Sequence, residues 1–572
     1  MEKPFSHNPR VFQQRCFAAA LCVLLSAYCF ARDIPVPEPG HPGNVFLADE
    51  FMRIPLAGGV TWRALNETGT FVASGEVNAE KVADLGQPGI GWYRIEMLDA
   101  NQQVLGFTTA AVLARLAAPV PEDSPVCADG AVSWLADDET ARASQARLAA
   151  LAGVNWFRDR LHWREIQPSQ DHFEAETRYD TAAKVQTKAG LKLLQVFHTF
   201  PKWVVQASPD NDRVSPDLRL VYAFCKAASL RFTGEVLAWE PWNEANIKMF
   251  GGWPISAICS FQKAAFLGFK AGNPGVTVCW NPLAGNNSSW LVEGILANET
   301  WNYYDTYNIH CYDGPDTFAE RWALAREAAC GRPMWVSECD RGIAATEGRD
   351  LSPENDVRKA ELIAQEYASS LLAGAVRHFH FILGDYMEKD IQFGLLRQDL
   401  TPRSGYVALA AVGRYLAGAK CLGRWRTETT PECHAIAFRA QPDGIERDVI
   451  VAWTEPQGEW PLRGQTTAAW SLPETIRIES VADFLGRPLP VEAPKELTSK
   501  PLFIVMSSGE AQKLPLDKPA LSPYRDATPS PIVLQLHWPN ATLVSHDEDW
   551  SYEQVFQAAP DTDMELRLFI YN

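Results

Sequence analysis

A chain of 572 residues and 63.6 kDa exceeds what one ordinary core can hold, so a large domain with smaller attachments is expected. The 52 Lys and Arg set against 70 Asp and Glu give a formal charge of -18. Such a surface repels nucleic acid and anionic lipid, which argues against a phosphate-backbone partner.

Residues 1–31 read as a secretory signal. Lys3, Arg10 and Arg15 form a basic flank, Cys16 to Phe30 is an apolar stretch short for a membrane span, and Ala31 suits cleavage. Retention as an uncleaved anchor is the alternative. No later stretch is apolar enough to cross a bilayer, so the mature chain is expected to be secreted, periplasmic or at the cell surface. Of 12 Cys, three fall within the signal, and the odd remainder leaves at least one free thiol. None stands in CxxC or Cys/His spacing, so they read as small core residues, and neither metal nor cofactor is expected.

A Pro/Gly-rich linker at 32–43 leads into residues 44–117, where short β-rich runs (NVFLA, GVTWRAL, TFVASGEV, GWYRIEML, VLGFTTAAVL) alternate with turn signals. That pattern predicts a small N-terminal β-sandwich. From 118 to 418 strand-like and helix-like patterns alternate. Strands are expected near Val126–Gly130, Val154–Arg160, Leu191–His198, Glu235–Pro241, Val276–Trp280, Tyr304–Tyr312, Pro333–Cys339 and Val376–Gly384. Helical patterns lie between, among them Leu218–Arg231, Ser256–Ala271 and Asp356–Leu372. The fold class is therefore α/β, a (β/α)8 barrel flanked by β-sandwiches. Residues 419–510 return to β pattern as a C-terminal sandwich. Residues 511–572 form a β-rich extension, either a module of its own or strands added to a sandwich.

Two of the barrel strands end on acids. EVLAWEPWNEANI at 235–247 is an apolar run that stops on Asn243 and Glu244, and PMWVSE at 333–338 ends on Glu338. The carboxyl ends of barrel strands are where chemistry is done. A carboxylate pair there matches the needs of retaining glycoside hydrolysis, with acid and nucleophile about 5–5.5 Å apart.

WEPWNEANI (239–247) and WVSECDRG (335–342) resemble the acid/base and nucleophile motifs of the clan A retaining glycoside hydrolases. The flanks are most similar to glycoside hydrolase family 39 and its neighbours. GVNWFRDRLHWREIQP (153–168), GLKLLQVFHTFPKW (190–203) and FGLLRQDLTPRSGYVAL (393–409) fit the same pattern, so the resemblance covers roughly 120–418. It implies Glu244 as proton donor, Glu338 as nucleophile, and Asn243 as the residue that bonds the sugar 2-hydroxyl. A polar residue on strand six contacts the nucleophile in that clan, and His310 and Tyr312 share a face that suits the role. Where members of the clan carry a Trp after strand eight, this chain has RHFHFILGDY. The sugar platform is then Phe381 or a loop aromatic such as Trp253, Trp203 or Trp290.

The proton donor needs a raised pKa, for which a neighbouring carboxylate and Trp242 are suited. The nucleophile needs donors, for which Arg158 is suited. Plainer readings stand beside these. Arg158 could pair with Asp159 and Glu338 with Arg341, while His198 either lines the sugar pocket or sits satisfied in the core. Asp340 and Asp385 either bind hydroxyls or are solvated. Long loops after strands three, four and five favour a pocket and exo action on an oligo- or polysaccharide. The alternatives are an endo-acting enzyme of the same clan or a non-catalytic carbohydrate-binding barrel.

Overall fold

In the computed structural model, the described residues are 40–208, 216–285, 289–346, 348–426, 432–455, 457–458, 464, 466–492, 494–519, 521–526, 528–545 and 554–572. The proposed signal and most of the first linker lie outside them.

Eight strands build the barrel: β1 (Val126–Asp129), β2 (Trp156–His162), β3 (Lys192–His198), β4 (Val236–Pro241), β5 (Thr277–Val278), β6 (Tyr307–Cys311), β7 (Met334–Cys339) and β8 (Ala375–His380). They pair in parallel in the order β5-β4-β3-β2-β1-β8-β7-β6. A parallel bridge between Cys279 and Thr306 joins the two edge strands and closes the sheet on itself. The strands read as continuous apolar runs because both faces are covered; every residue of β7 is buried.

The covering helices are α1 (Glu139–Leu151), α2 (Arg178–Lys188), α3 (Leu218–Arg231), α4 (Ile255–Gly272), α5 (Ser289–Ala297), α6 (Ala323–Ala329), α7 (Pro353–Leu372) and α8 (Ser404–Tyr415). Local chemistry starts several of them. Asp138 caps α1 by accepting from the Ala141 N–H, Thr177 and Asp180 form a capping box on α2, and Ser352 with Pro353 opens α7. The α5 helix falls partly where a loop is expected, since its short apolar run SWLVEGILA carries no cap signal to separate it from the preceding turn.

The N-terminal region is a five-stranded sheet, in the order Val45–Leu47, Val104–Leu113, Gly91–Leu98, Thr61–Asn66, Phe71–Glu76. A two-stranded ribbon, Arg53–Pro55 with Val82–Asp84, accompanies it, and both contribute to a core around Ile54, Trp62, Ile95 and Val112. Val45, Trp92, Ala111 and Leu113 belong instead to a core shared with the barrel helices. Trp92 Nε1 and Thr109 Oγ1 both donate to the Pro402 carbonyl at 2.8 Å. The C-terminal region repeats this plan with seven strands and the ribbon Thr467–Ala469/Glu496–Thr498. Phe438, Val451 and Phe503 join the core shared with the barrel.

The extension does two things. Leu516–Asp517 adds an edge strand to the C-terminal sheet. The chain then returns to the barrel, where the hairpin Val533–His537/Arg567–Tyr571 lies on α4 and Ser260 Oγ donates to the Leu534 carbonyl at 2.8 Å. All nine cysteines of the described residues are free thiols, and eight are buried. No helix among those residues is long and apolar enough to cross a membrane.

Candidate active site

The barrel interior is built in layers. Residues from six strands (Cys127, Trp156, Leu194, Ala238, Trp335 and Phe379), with Cys279 directly after β5, form an apolar plug. Two positions on along the strands, the period that returns a side chain to the same face, stand Asp129, Arg158 and Glu240. Arg158 is fully buried; its Nη1 donates to Asp129 Oδ2 at 2.7 Å and its Nε to Glu240 Oε2 at 2.6 Å. Asn308 Nδ2 holds the other Glu240 oxygen at 2.6 Å. A buried arginine so fully paired is a fixed point from which the next layer is hung.

That next layer holds the two glutamates. Trp335 and Glu338 are three apart, so strict alternation would put them on opposite faces. An extra residue in β7 lies between the pairs Ile309↔Val336 and His310↔Glu338, and this bulge turns both inward. Glu338 Oε1 accepts from Arg158 Nη1 and from Arg160 Nη2, the latter at 2.7 Å. Its Oε2 accepts from the Tyr312 hydroxyl and lies 3.5 Å from His310 Nδ1. Burial alone would raise the Glu338 carboxyl, but His310, Arg158, Arg160 and the Tyr312 hydroxyl together hold it well below the usual carboxylate range. Burial and the two acids push Tyr312 well above the ordinary phenol value, so it keeps its proton and donates.

Glu244 comes from the turn after β4. Trp242 (φ 84) and Glu244 (φ 45) both take left-handed backbone, which costs about 1–3 kcal/mol at a non-glycine residue. Main-chain bonds hold the turn: Trp242 N–H to the Phe197 carbonyl at 3.0 Å and Glu244 N–H to the Pro282 carbonyl at 2.9 Å. Glu244 Oε1 meets His310 Nδ1 at 2.8 Å. One oxygen of each glutamate and a ring nitrogen of His310 lie within 4.8 Å of one another. Asn243 Oδ1 accepts from Arg158 Nη2 at 2.9 Å, which leaves its Nδ2 to donate to a hydroxyl.

These groups line a cavity of about 920 Å³ at the carboxyl ends of the strands. Its walls are Trp134 and Leu135 after β1, Ile247, Met249 and Phe250 after β4, Trp322 after β6, and Tyr386, Ile391 and Phe393 after β8. Phe381 stands edge-on to Tyr312, with ring centroids 5.8 Å apart. His198 also lines the cavity; burial, then the charges of His162, Arg160 and Arg158, push it well below the ordinary imidazole value, so it is a neutral ring.

Of the residues singled out in the sequence, Glu244, Glu338, Asn243, His198, His310, Tyr312 and Phe381 line the cavity, and Arg158 lies directly beneath. His310 and Tyr312 both reach the carboxylates. Trp253 is not brought to the site: it is buried among Phe200, Trp242 and Phe261, where its indole supports Trp242 from behind. Asp340 is buried and paired with Lys359, and Asp385 takes Arg349 Nε at 2.6 Å, so both are structural ion pairs. Arg160 is the residue the sequence reading passed over. Its signal was present, because Arg158 and Arg160 are two apart on one strand and share a face.

No protein-family model matches the chain, and no curated protein matches it. Solved structures do. A family 39 glycoside hydrolase from the gut symbiont Bacteroides cellulosilyticus WH2 aligns with a TM-score of 0.65 over 82% of this chain and 99% of that one, at 19% identity. The fold is that of a family 39 glycoside hydrolase. A GH30 endoxylanase from Clostridium papyrosolvens C71 aligns at TM-score 0.47 and 13% identity, covering 69% and 99%. A monomeric β-xylosidase from Caulobacter crescentus CB15 aligns at 0.46 and 17%, covering 69% and 98%. The structure that shares this fold at a TM-score of 0.65 comes from the family whose motifs the sequence resembles.

Proposed function

We propose that this chain is a retaining glycoside hydrolase that removes terminal β-linked sugars from an oligo- or polysaccharide. The observation that carries the reading is the meeting of Glu244 and Glu338 oxygens within 4.8 Å, with one acid ringed by cationic and hydroxyl donors. That spacing supports direct attack by one acid on the anomeric carbon, the arrangement of a retaining enzyme.

In this reading Glu338, kept ionised by Arg158, Arg160 and Tyr312, attacks the anomeric carbon while the Glu244 carboxyl gives its proton to the departing glycosidic oxygen. A glycosyl ester on Glu338 results. Glu244, now a carboxylate, takes a proton from water, which attacks the same carbon and frees Glu338. Asn243 Nδ2 supports the 2-hydroxyl as positive charge develops on the ring. His310 touches Glu244, lies 3.5 Å from Glu338, and so keeps the two acids in register.

Exo action is supported by the walls. The antiparallel ribbon Met387–Glu388/Ile391–Gln392, paired to Ile343–Ala344, rises beside the Tyr386 and Phe393 wall and stands across one side of the mouth. Galactose, xylose and glucose are the terminal sugar types for early trial. Export rests on the basic and apolar character of residues 1–31. The test is a panel of aryl β-glycosides and plant polysaccharides offered to wild type and to Glu338→Gln. Monosaccharide release by wild type alone is the expected result. Oligosaccharide release favours endo action, and equal turnover by Glu338→Gln overturns the assignment.

A further inference from the structure

A second acidic cluster lies on the helix side of the barrel wall. Asp340 follows β7, His380 ends β8, and Glu366 comes from the middle of α7; one ligand atom from each lies within 4.8 Å of the others. All three side chains are fully buried. Lys359, also on α7 and also buried, takes Asp340 Oδ2. Asp340 Oδ1, both oxygens of Glu366 and both ring nitrogens of His380 have no hydrogen-bond partner. His380 Nδ1 lies 3.6 Å from Glu366 Oε2, too far for a hydrogen bond.

The chemistry of these orphaned atoms is one-sided. Three are carboxylate oxygens, and a neutral imidazole adds one more acceptor against a single donor. Lys359 pairs directly with Asp340, and Glu366 receives only its longer-range charge and the influence of Arg341. A buried, unbalanced carboxylate costs several kcal/mol, and a water molecule brings only two hydrogens to a set of acceptors from three residues. A cation can take one ligand atom from each of the three residues at once. The catalytic cluster of Glu244, His310 and Glu338 has the same compactness, but there Arg158, Arg160 and Tyr312 already supply the positive charge and the donors.

We propose that Asp340, Glu366 and His380 bind one divalent cation of the zinc or manganese class. Two carboxylates and an imidazole suit those ions better than calcium, which takes oxygen ligands, or copper(I), which takes sulfur. The site staples the ends of β7 and β8 to α7. Those are the two strands that carry Glu338 and lead into Phe381, so the ion is a structural clamp behind the catalytic rim. Because all three ligands are fully buried, the ion is expected to be taken up as the chain folds.

The test is elemental analysis of the full chain, purified without chelator from medium supplemented with zinc and manganese chloride. Wild type and Glu338→Gln are expected to carry about one metal per chain, and Glu366→Gln, which keeps the side-chain shape, less than about a tenth. The unfolding midpoint of Glu366→Gln is expected to fall by about 5 °C or more. If that variant does not fold, His380→Gln is read the same way, and the wild-type content decides regardless. Wild type with less than about a tenth of a metal per chain overturns the proposal. So does metal lost from Glu338→Gln and kept by Glu366→Gln, which would move the ion to the catalytic cluster.

Discussion

Glu244 and Glu338 are the same residue type at corresponding ends of two barrel strands, and the protein treats them differently. Glu338 stands at the end of a bulged, wholly buried strand and receives two guanidinium groups and a phenol. Glu244 sits on a turn of left-handed backbone, touches His310, and no guanidinium reaches it among the described residues. The difference is made by neighbouring strands: β2 supplies Arg158 and Arg160 to one acid only, and the segment from β6 divides His310 and Tyr312 between the two. A strand end offers a position for an acid, and its neighbours decide what that acid does.

The most damaging way to break this asymmetry is Glu338→Gln, which should lower kcat by about 10⁴-fold or more, measured on an activated aryl glycoside. Azide added to Glu338→Ala should restore part of the turnover with an inverted product. Arg158→Met should follow, because it strands Asp129, Glu240 and Glu338 without their shared cation. About 3–5 kcal/mol of stability should go, read from denaturant unfolding. Glu244→Ala should cost about 10²–10⁴-fold on substrates with poor leaving groups and much less on dinitrophenyl glycosides, a split that separates the two acids. Tyr312→Phe sharpens the comparison more gently. It removes one charge-assisted hydrogen bond from Glu338, about 1.5–3 kcal/mol, and should shift the acid limb of the pH profile upward.

The smallest effect concerns pH and stability. Glu338 is held below its ordinary 4.5 in the fold, so its ionised form favours folding. That contribution is complete above pH ~4.5 and is lost as pH falls through the folded-state value. Unfolding midpoints measured from pH 6 down to pH 3 should therefore fall less steeply in Glu338→Gln than in wild type.

Much of this was legible in the sequence. All eight strands and the helix at Leu218–Arg231 could be read from apolar runs and capping residues, and Glu244, Glu338 and Asn243 from their places after such runs. What escaped was whatever depends on more than one strand. The bulge at Ser337 breaks the period-two rule locally, and nothing in WVSE announces it. Trp253 looked like a sugar platform because loop tryptophans near an active site often are. It packs instead under Trp242, because the turn after β4 folds back on α4. Asp340, so close to Glu338 in sequence, pairs instead with Lys359 of α7. The extension's return to α4 joins residues far apart in the chain, which periodicity cannot report.

The central claim is that two carboxylates meet on one acetal and one of them bonds to the sugar. It is tested most directly by following the anomeric configuration of the first-formed product by proton NMR, on any β-glycoside the enzyme turns over. The account predicts the β-anomer appearing first and mutarotating later. The α-anomer appearing first would mean that water attacks directly, and the assignment of Glu338 as nucleophile would then be wrong.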